Sequence, residues 1–192
     1  MTNAKAKTAA TTEASKKSFL ETFFTDQLQD IYNAEQQLLK GLDEMIEAST
    51  SEELEDAFSE HRRQTERHVS RLEKVFRSIG QTAKGKKCEA MEGLLKEARS
   101  IIKETKEGSA TRDAALIIAA QKIEHYEIAT YGGLAQLAMT MDLHQAADLL
   151  ERTLQEEEQT DKDLTEIAER FINVRAEKEG PYSWQKEEAV AM

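Results

Sequence analysis

One proline, one cysteine, one tryptophan and eight glycines in 192 residues leave little from which to build tight turns or cross-links. A many-stranded β fold needs turn residues every ten positions or so, and this chain lacks them. Cys88, being alone, can form no intramolecular disulfide and no cysteine-rich metal site. No apolar run approaches the roughly 20 residues needed to span a bilayer. The opening stretch, MTNAKAKTAATTEASKKS, has no apolar segment of the kind a secretory leader carries. Positive charge is also scarce: 26 lysines and arginines face 37 aspartates and glutamates, for a formal charge of −11. Nucleic acid and anionic membranes both demand a net attraction to phosphate, so neither is an expected partner. What the chain has in quantity is Ala, Glu, Lys, Leu and Gln, the residues of long helices. The expectation is an all-α, cytoplasmic protein.

Apolar periodicity divides the chain. Residues 1–17 show none and read as a disordered tail, locally basic through Lys5, Lys7, Lys16 and Lys17. The body, 18–179, holds five helical segments. The first covers about 18 to 48, and Thr50-Ser51-Glu52-Glu53 then reads as a capping box opening a second helix that stops at Gly80. After the loop QTAKGKK, a shorter amphipathic helix runs from Cys88 to Gly108. A fourth begins near Thr111 or Asp113 and ends near Met141; a fifth covers about 143 to 179 and closes at Gly180-Pro181. Residues 180–192, with Trp184, form a second tail. A helix of about 30 residues is about 45 Å long. Short connections make hairpins of the first and second helices and of the fourth and fifth. The predicted architecture is an antiparallel four-helix bundle with one long crossover that carries the extra short helix.

Polar residues interrupt each apolar seam at mid-height. The first helix passes Ile31, Glu35, Leu38. The second reads Leu54, Phe58, His61, Thr65, His68, Leu72, with Gln64 at its edge. The fourth carries Glu124 and Glu127 between Ala120 and Tyr131. The fifth carries Glu157 and Asp161 between Leu154 and Leu164, and Glu158 is the alternative to Glu157 because a one-residue helix rotation is not fixed by the pattern. Antiparallel packing brings these mid-sections to one level. Several carboxylates cannot remain ionised in one interior unaided, since burying even one unpaired charge is costly. Divalent cations resolve the conflict, and carboxylate with imidazole favours iron, manganese or zinc over calcium. The candidate ligands are Glu35, His68, Glu124, Glu127, Glu157, Glu158 and Asp161, with His61 as a supporting or polar-core group.

The halves also repeat: Glu35 and Glu127, Gln64 and Glu157, and His68 and Asp161 are each separated by nearly the same interval. One carboxylate on the first helix of a hairpin and a ligand pair on its second is the pattern of a dinuclear carboxylate site. Tyr32, Tyr126 and Tyr131 could hydrogen-bond such carboxylates. Gly132-Gly133, inside a helix, points to a close helix or subunit contact, and Cys88 reads as a passive loop thiol.

With YNAEQQLL (32–39), CEAMEGLL (88–95), RDAALI (112–117), QKIEHYEIATYG (121–132) and LQEEEQTDKDLTEIA (154–168), the chain resembles the YciE/YciF family of bacterial proteins over about residues 18 to 175. The resemblance implies a dimeric ferritin-like bundle, an association with stress responses and a dinuclear metal site, with no settled activity; the donor set itself leads us to expect iron or manganese, reacting with oxygen or peroxide. It also implies an acidic residue near position 63 or 64, where this chain has Arg63 and Gln64. A neutral amide is a weaker ligand, which favours the alternative of a stress protein acting through partner binding without a functional metal.

Overall fold

The computed structural model describes residues 18–180, and the expected tails, Trp184 included, fall outside the described residues apart from Gly180. Helices make up the ordered elements: α1 (Phe19–Ala48), α2 (Glu52–Ser78), α3 (Glu89–Glu104), α4 (Ala110–Thr140), α5 (His144–Ile167) and α6 (Asn173–Glu177). The last two are joined by a π-helical turn, Ala168–Ile172, so the expected fifth helix is one rod with a wider turn set into it. Among the described residues no helix is long and apolar enough to cross a membrane.

Local chemistry sets the boundaries. Ser18 opens α1 through a reciprocal capping box with Glu21. At the next helix the expected cap, Thr50, is displaced by one residue: the Ser51 hydroxyl accepts from the Leu54 amide. The displacement has a cause in another part of the chain. The carboxylate of Asp113, in the first turn of α4, accepts from the amides of Thr50 at 2.8 Å and Ser51 at 2.9 Å. A long-range acid thus takes over the role that a local glutamate has in a capping box. At the end of α2, Gly80 adopts φ +69°, the Gln81 amide reaches the Phe76 carbonyl, and the Gly80 amide reaches that of Arg77. This bond pair requires a left-handed residue, which glycine supplies without a Cβ penalty.

The four long helices pack in the cyclic order α1, α2, α5, α4, each against its two neighbours. Their apolar stripes meet in one core that includes Leu28, Ile31, Leu42, Leu54, Phe58, Leu72, Ile117, Leu134, Leu150 and Leu164. Each such side chain taken fully out of water contributes about 1.5–3 kcal/mol. The crossover helix α3 packs on α1 and α4. Leu95 comes so near Gly41 that an added Cβ there would stand 2.2 Å from its Cδ2. The expectation of a close helix contact at Gly132-Gly133 is not met within the chain: a Cβ on Gly132 would find its nearest neighbour at 3.9 Å, and one on Gly133 none within 4 Å. Two glycines on a helical seam and one beside a packed leucine look alike in sequence; only the partner helix distinguishes them.

Candidate metal centre

Six ionisable side chains converge halfway along the interior: Glu35 from α1, His61 and His68 from α2, Glu124 and Glu127 from α4, and Glu157 from α5. All are buried, the most exposed being His61 at 3%. Helix geometry explains the selection. Glu124 and Glu127, three residues apart, share one face; His61 and His68, two turns apart, share another at different heights. His61, Glu124, Glu127 and Glu157 can each offer one ligand atom with all four atoms within 4.8 Å of one another, and Glu35, His68 and Glu157 form a second such group. Glu157 is common to both.

These groups lack ordinary partners. Among the described residues, the buried side-chain atoms without a hydrogen bond are Glu35 Oε2, His61 Nε2, His68 Nδ1, Glu124 Oε2 and both oxygens of Glu127 and Glu157, and every one belongs to the six. His61 Nε2 lies 3.2 Å from Glu124 Oε1 and His68 Nδ1 lies 2.9 Å from Glu157 Oε1. Both are close approaches of opposite charge, yet neither nitrogen achieves hydrogen-bond geometry. Buried polar atoms in folded proteins are nearly all paired, so a set of this size in one place calls for an explanation.

The surroundings orient the lone pairs inward. His68 Nε2 meets Glu156 Oε2 at 2.7 Å, and Arg71 grips both oxygens of Glu156 while also donating to Thr153. That leaves His68 Nδ1 facing the interior. His61 Nδ1 has Gln64 Oε1 at 3.5 Å and Thr160 Oγ1 at 3.4 Å, which turns its Nε2 inward. The Tyr131 hydroxyl donates to Glu35 Oε1, leaving Oε2 free. An imidazole oriented through its outer nitrogen by a carboxylate or carbonyl is the usual support of a metal-binding histidine.

Electrostatics follow from the burial. Desolvation opposes charge on His61, but Glu124 and Glu157 outweigh it and hold its pKa at about 9. Burial is likewise overcome at His68, where Glu35, Glu157 and the bond to Glu156 raise the value to about 12. Glu127 is pushed well above the carboxylate range by burial and then by Glu35, Glu157 and Glu124. Burial raises Glu157 against the pull of His68. Glu156 is drawn down to about 2, first by its bond to His68 and then, against the opposing effect of burial, by Arg71. Without a cation this layer limits its charge by holding protons, on both imidazoles and on Glu127. Cation binding would displace those protons.

Five of the seven ligands expected from sequence, Glu35, His68, Glu124, Glu127 and Glu157, are brought together. Glu158 and Asp161 are not. Glu158 lies a further 100° around α5 and is exposed. Asp161, 40° beyond Glu157 and one turn on, points toward α4, where its Oδ1 accepts from Gln121 at 3.1 Å and stands 3.4 Å from His125 Nε2. His61, assigned a supporting place by sequence, lies within the convergent set. Its signal was present: it falls on the apolar stripe of α2 in register with His68. Gln64 does not replace a ligand; it accepts from Thr160 at 3.1 Å and backs His61. The three tyrosines among the described residues all bond carboxylates, Tyr32 to Glu73, Tyr126 to Asp30 and Tyr131 to Glu35. Cys88 is buried, caps α3 and contacts the Tyr126 hydroxyl at 3.1 Å; burial raises its pKa, so the thiol is held protonated.

Residues 19–177 match the family described as "Domain of unknown function (DUF892)". Protein YciF of Escherichia coli (strain K12) is 45% identical over 159 residues, 82% of this chain and 95% of that protein. The crystal structure of that stress protein superposes with a TM-score of 0.77 at 44% identity, covering 82% of this chain and 99% of the other. YcfI from Rhodopseudomonas palustris, described as a candidate structural protein, gives 0.75 at 35% identity over 80% and 97% of the two chains. A Xanthomonas campestris protein at 19% identity shares the fold alone, with a TM-score of 0.64 over 82% and 96%.

Proposed function

The chain belongs to the DUF892 family, and on that premise we propose that it is a cytoplasmic, homodimeric stress protein with a ferritin-like four-helix bundle and a dinuclear iron or manganese centre. The observation that carries the reading is the set of buried, unpartnered donor atoms, all on six convergent residues. Four glutamates and two histidines on four helices are also the donor inventory of dinuclear carboxylate bundles, although here both histidines come from α2. Oxygen and imidazole donors without thiolate suit iron or manganese. His61, Glu124, Glu127 and Glu157 would hold one position, and Glu35, His68 and Glu157 the other. Glu157, common to both groups, would serve both positions, and Glu127, with both oxygens unpartnered, would serve the His61 position. Two such ions would supply the capacity to exchange electrons with oxygen or peroxide. The chain's own residues bind, orient and exclude: Arg71 and Glu156 fix His68, Gln64 and Thr160 fix His61, Tyr131 fixes Glu35, and the apolar ends of the core keep bulk water away.

The test is metal content per chain after anaerobic loading with Fe(II) or Mn(II) and desalting. Wild type should retain about two ions, the number such sites hold. Glu127→Ala and Glu157→Ala should retain clearly fewer, while Glu158→Ala and Asp161→Ala should match wild type. No retention by folded wild type would overturn the proposal.

A second reading is a bundle without functional metal that acts by binding partners. The 2.9 Å and 3.2 Å histidine–glutamate approaches favour it, since they can serve as buried ion pairs. So does the description of YcfI as a structural protein. Failure to retain metal would select it.

A further inference from the structure

The buried centre needs a way in, and the helix packing is unequal in what it leaves open. On the α1/α4 side, α3 lies across both helices. There Leu95 is packed against Gly41, and the Cys88–Tyr126–Asp30 contacts close the seam. On the α4/α5 side, Gln121 donates to both Asp161 and Thr165 and ties the helices together. Among the described residues, no further helix packs across the opposite seam, between α2 and α5. It carries a cleft of about 70 Å³, lined by Ala57, Glu60, Gln64, Thr160 and Asp163, whose inner wall is His61. A water needs roughly 10–15 Å³ by a comparable measure, so the cleft accommodates a few waters or a partly hydrated cation. Three larger cavities, beside Arg99 and Arg112, along the outer face of α2, and beside Phe23 and Ala129, touch none of the six convergent residues.

We infer that the α2/α5 cleft is the passage by which divalent cations reach the centre, with Gln64 and Thr160 as its throat and the His61 ring as its inner gate. The throat is built of oxygen. Thr160 Oγ1 lies 3.1 Å from Gln64 Oε1, and both adjoin His61 Nδ1. A hard cation leaving its water meets a hydroxyl and an amide carbonyl before the carboxylates, so dehydration proceeds in steps. Glu60 and Asp163 place carboxylates at the mouth, although Glu60 is also held by Arg63 and Arg67. The first ligands met are those of the His61 group, and the Glu35–His68 group is filled through the shared Glu157. This inference rests on the metal-binding reading above and adds a route to it.

The experiment follows Co(II) uptake into the metal-free, full-length protein by stopped-flow absorption, with the endpoint measured separately by equilibrium dialysis. Ala57→Leu narrows the cleft on a helical position and leaves every candidate ligand in place. Uptake should slow by at least about tenfold, equivalent to about 1.4 kcal/mol on the barrier, with the endpoint unchanged. Thr160→Val, which keeps the shape and removes the throat hydroxyl, should slow it less. Ala129→Leu, in the groove on the α1/α4 side, should leave the rate at its wild-type value. Wild-type rates in folded Ala57→Leu and Thr160→Val would overturn the passage while leaving the metal site standing. Equal slowing in Ala129→Leu would overturn it too. A wild type that takes up no Co(II) at equilibrium would sink the metal reading, and the passage with it.

Discussion

The interior consists of two kinds of layer that share the same four helices. Toward either end, leucine, isoleucine and phenylalanine interlock, and folding is driven by removing them from water. At mid-height, four glutamates and two histidines are equally dry, but most of their polar atoms have no hydrogen bond. The ends stabilise the fold whatever the solution contains. The middle weakens it unless something positive is present, either protons or, on our proposal, metal ions. The difference teaches where to look for function: in the part of the core that the fold would be more stable without.

The sharpest way to test the contrast is to cut into each layer with EDTA present. Phe24, buried in an apolar end, should cost about 3–5 kcal/mol on truncation to alanine, read as a lower urea midpoint, and added Mn(II) should not recover the loss. Glu127→Met should move in the opposite direction. It replaces a carboxyl crowded by Glu35, Glu157 and Glu124 with an apolar side chain of similar length. The metal-free variant should gain about 1–4 kcal/mol, and it should lose the stabilisation that Mn(II) gives to wild type. A loss of stability in metal-free Glu127→Met would break the comparison.

The third effect is smaller per step and depends on pH. His61 has a folded pKa of about 9 against 6.5 for the free group. A raised value means that the folded state holds the proton more tightly, so the contribution is complete below pH 6.5 and lost as pH rises through 9. Glu127, also raised, acts with the same sign from about the ordinary carboxylate pKa of 4.3 upward. Metal-free protein should therefore melt at a lower temperature at pH 9 than at pH 6, losing at most about 1.4 kcal/mol per pH unit for each such proton. Mn(II) should flatten the slope, because bound ligands no longer carry the protons. Thermal melts in EDTA and in excess Mn(II) across this range check both statements.

Much of this was legible in the order of residues. The elements followed from apolar periodicity and from Gly80, but α3 ends at Glu104, four residues short of the expected Gly108, where the Thr105 hydroxyl and amide both turn back to the Ile101 carbonyl. Glu35, Glu124, Glu127 and Glu157 announced themselves by standing where leucine would. Rotation about the helix axis was harder to read. Glu158 and Asp161 differ from Glu157 by 100° and 40°, and within an acidic run no apolar neighbour fixes the zero of that angle. His61 lies two turns from His68, too far to share one metal position with it, and the pattern of α2 alone does not show that it meets Glu124, Glu127 and Glu157. The place of α3 was not legible at all, since one apolar face does not say which groove it will cover. The cap at Thr50 failed for a related reason: its amide is claimed by Asp113, from the far half of the chain.

Glu157, common to both ligand groups, also places the centre in time. Glu35, His61 and His68 leave the ribosome first, then Glu124 and Glu127, and Glu157 last of the six. A nascent chain shows each ligand set with a gap in it until α5 has emerged and docked. On our proposal, metal loading would therefore not run ahead of synthesis, and a truncated chain ending before α5 would carry the histidines without the carboxylate common to both groups.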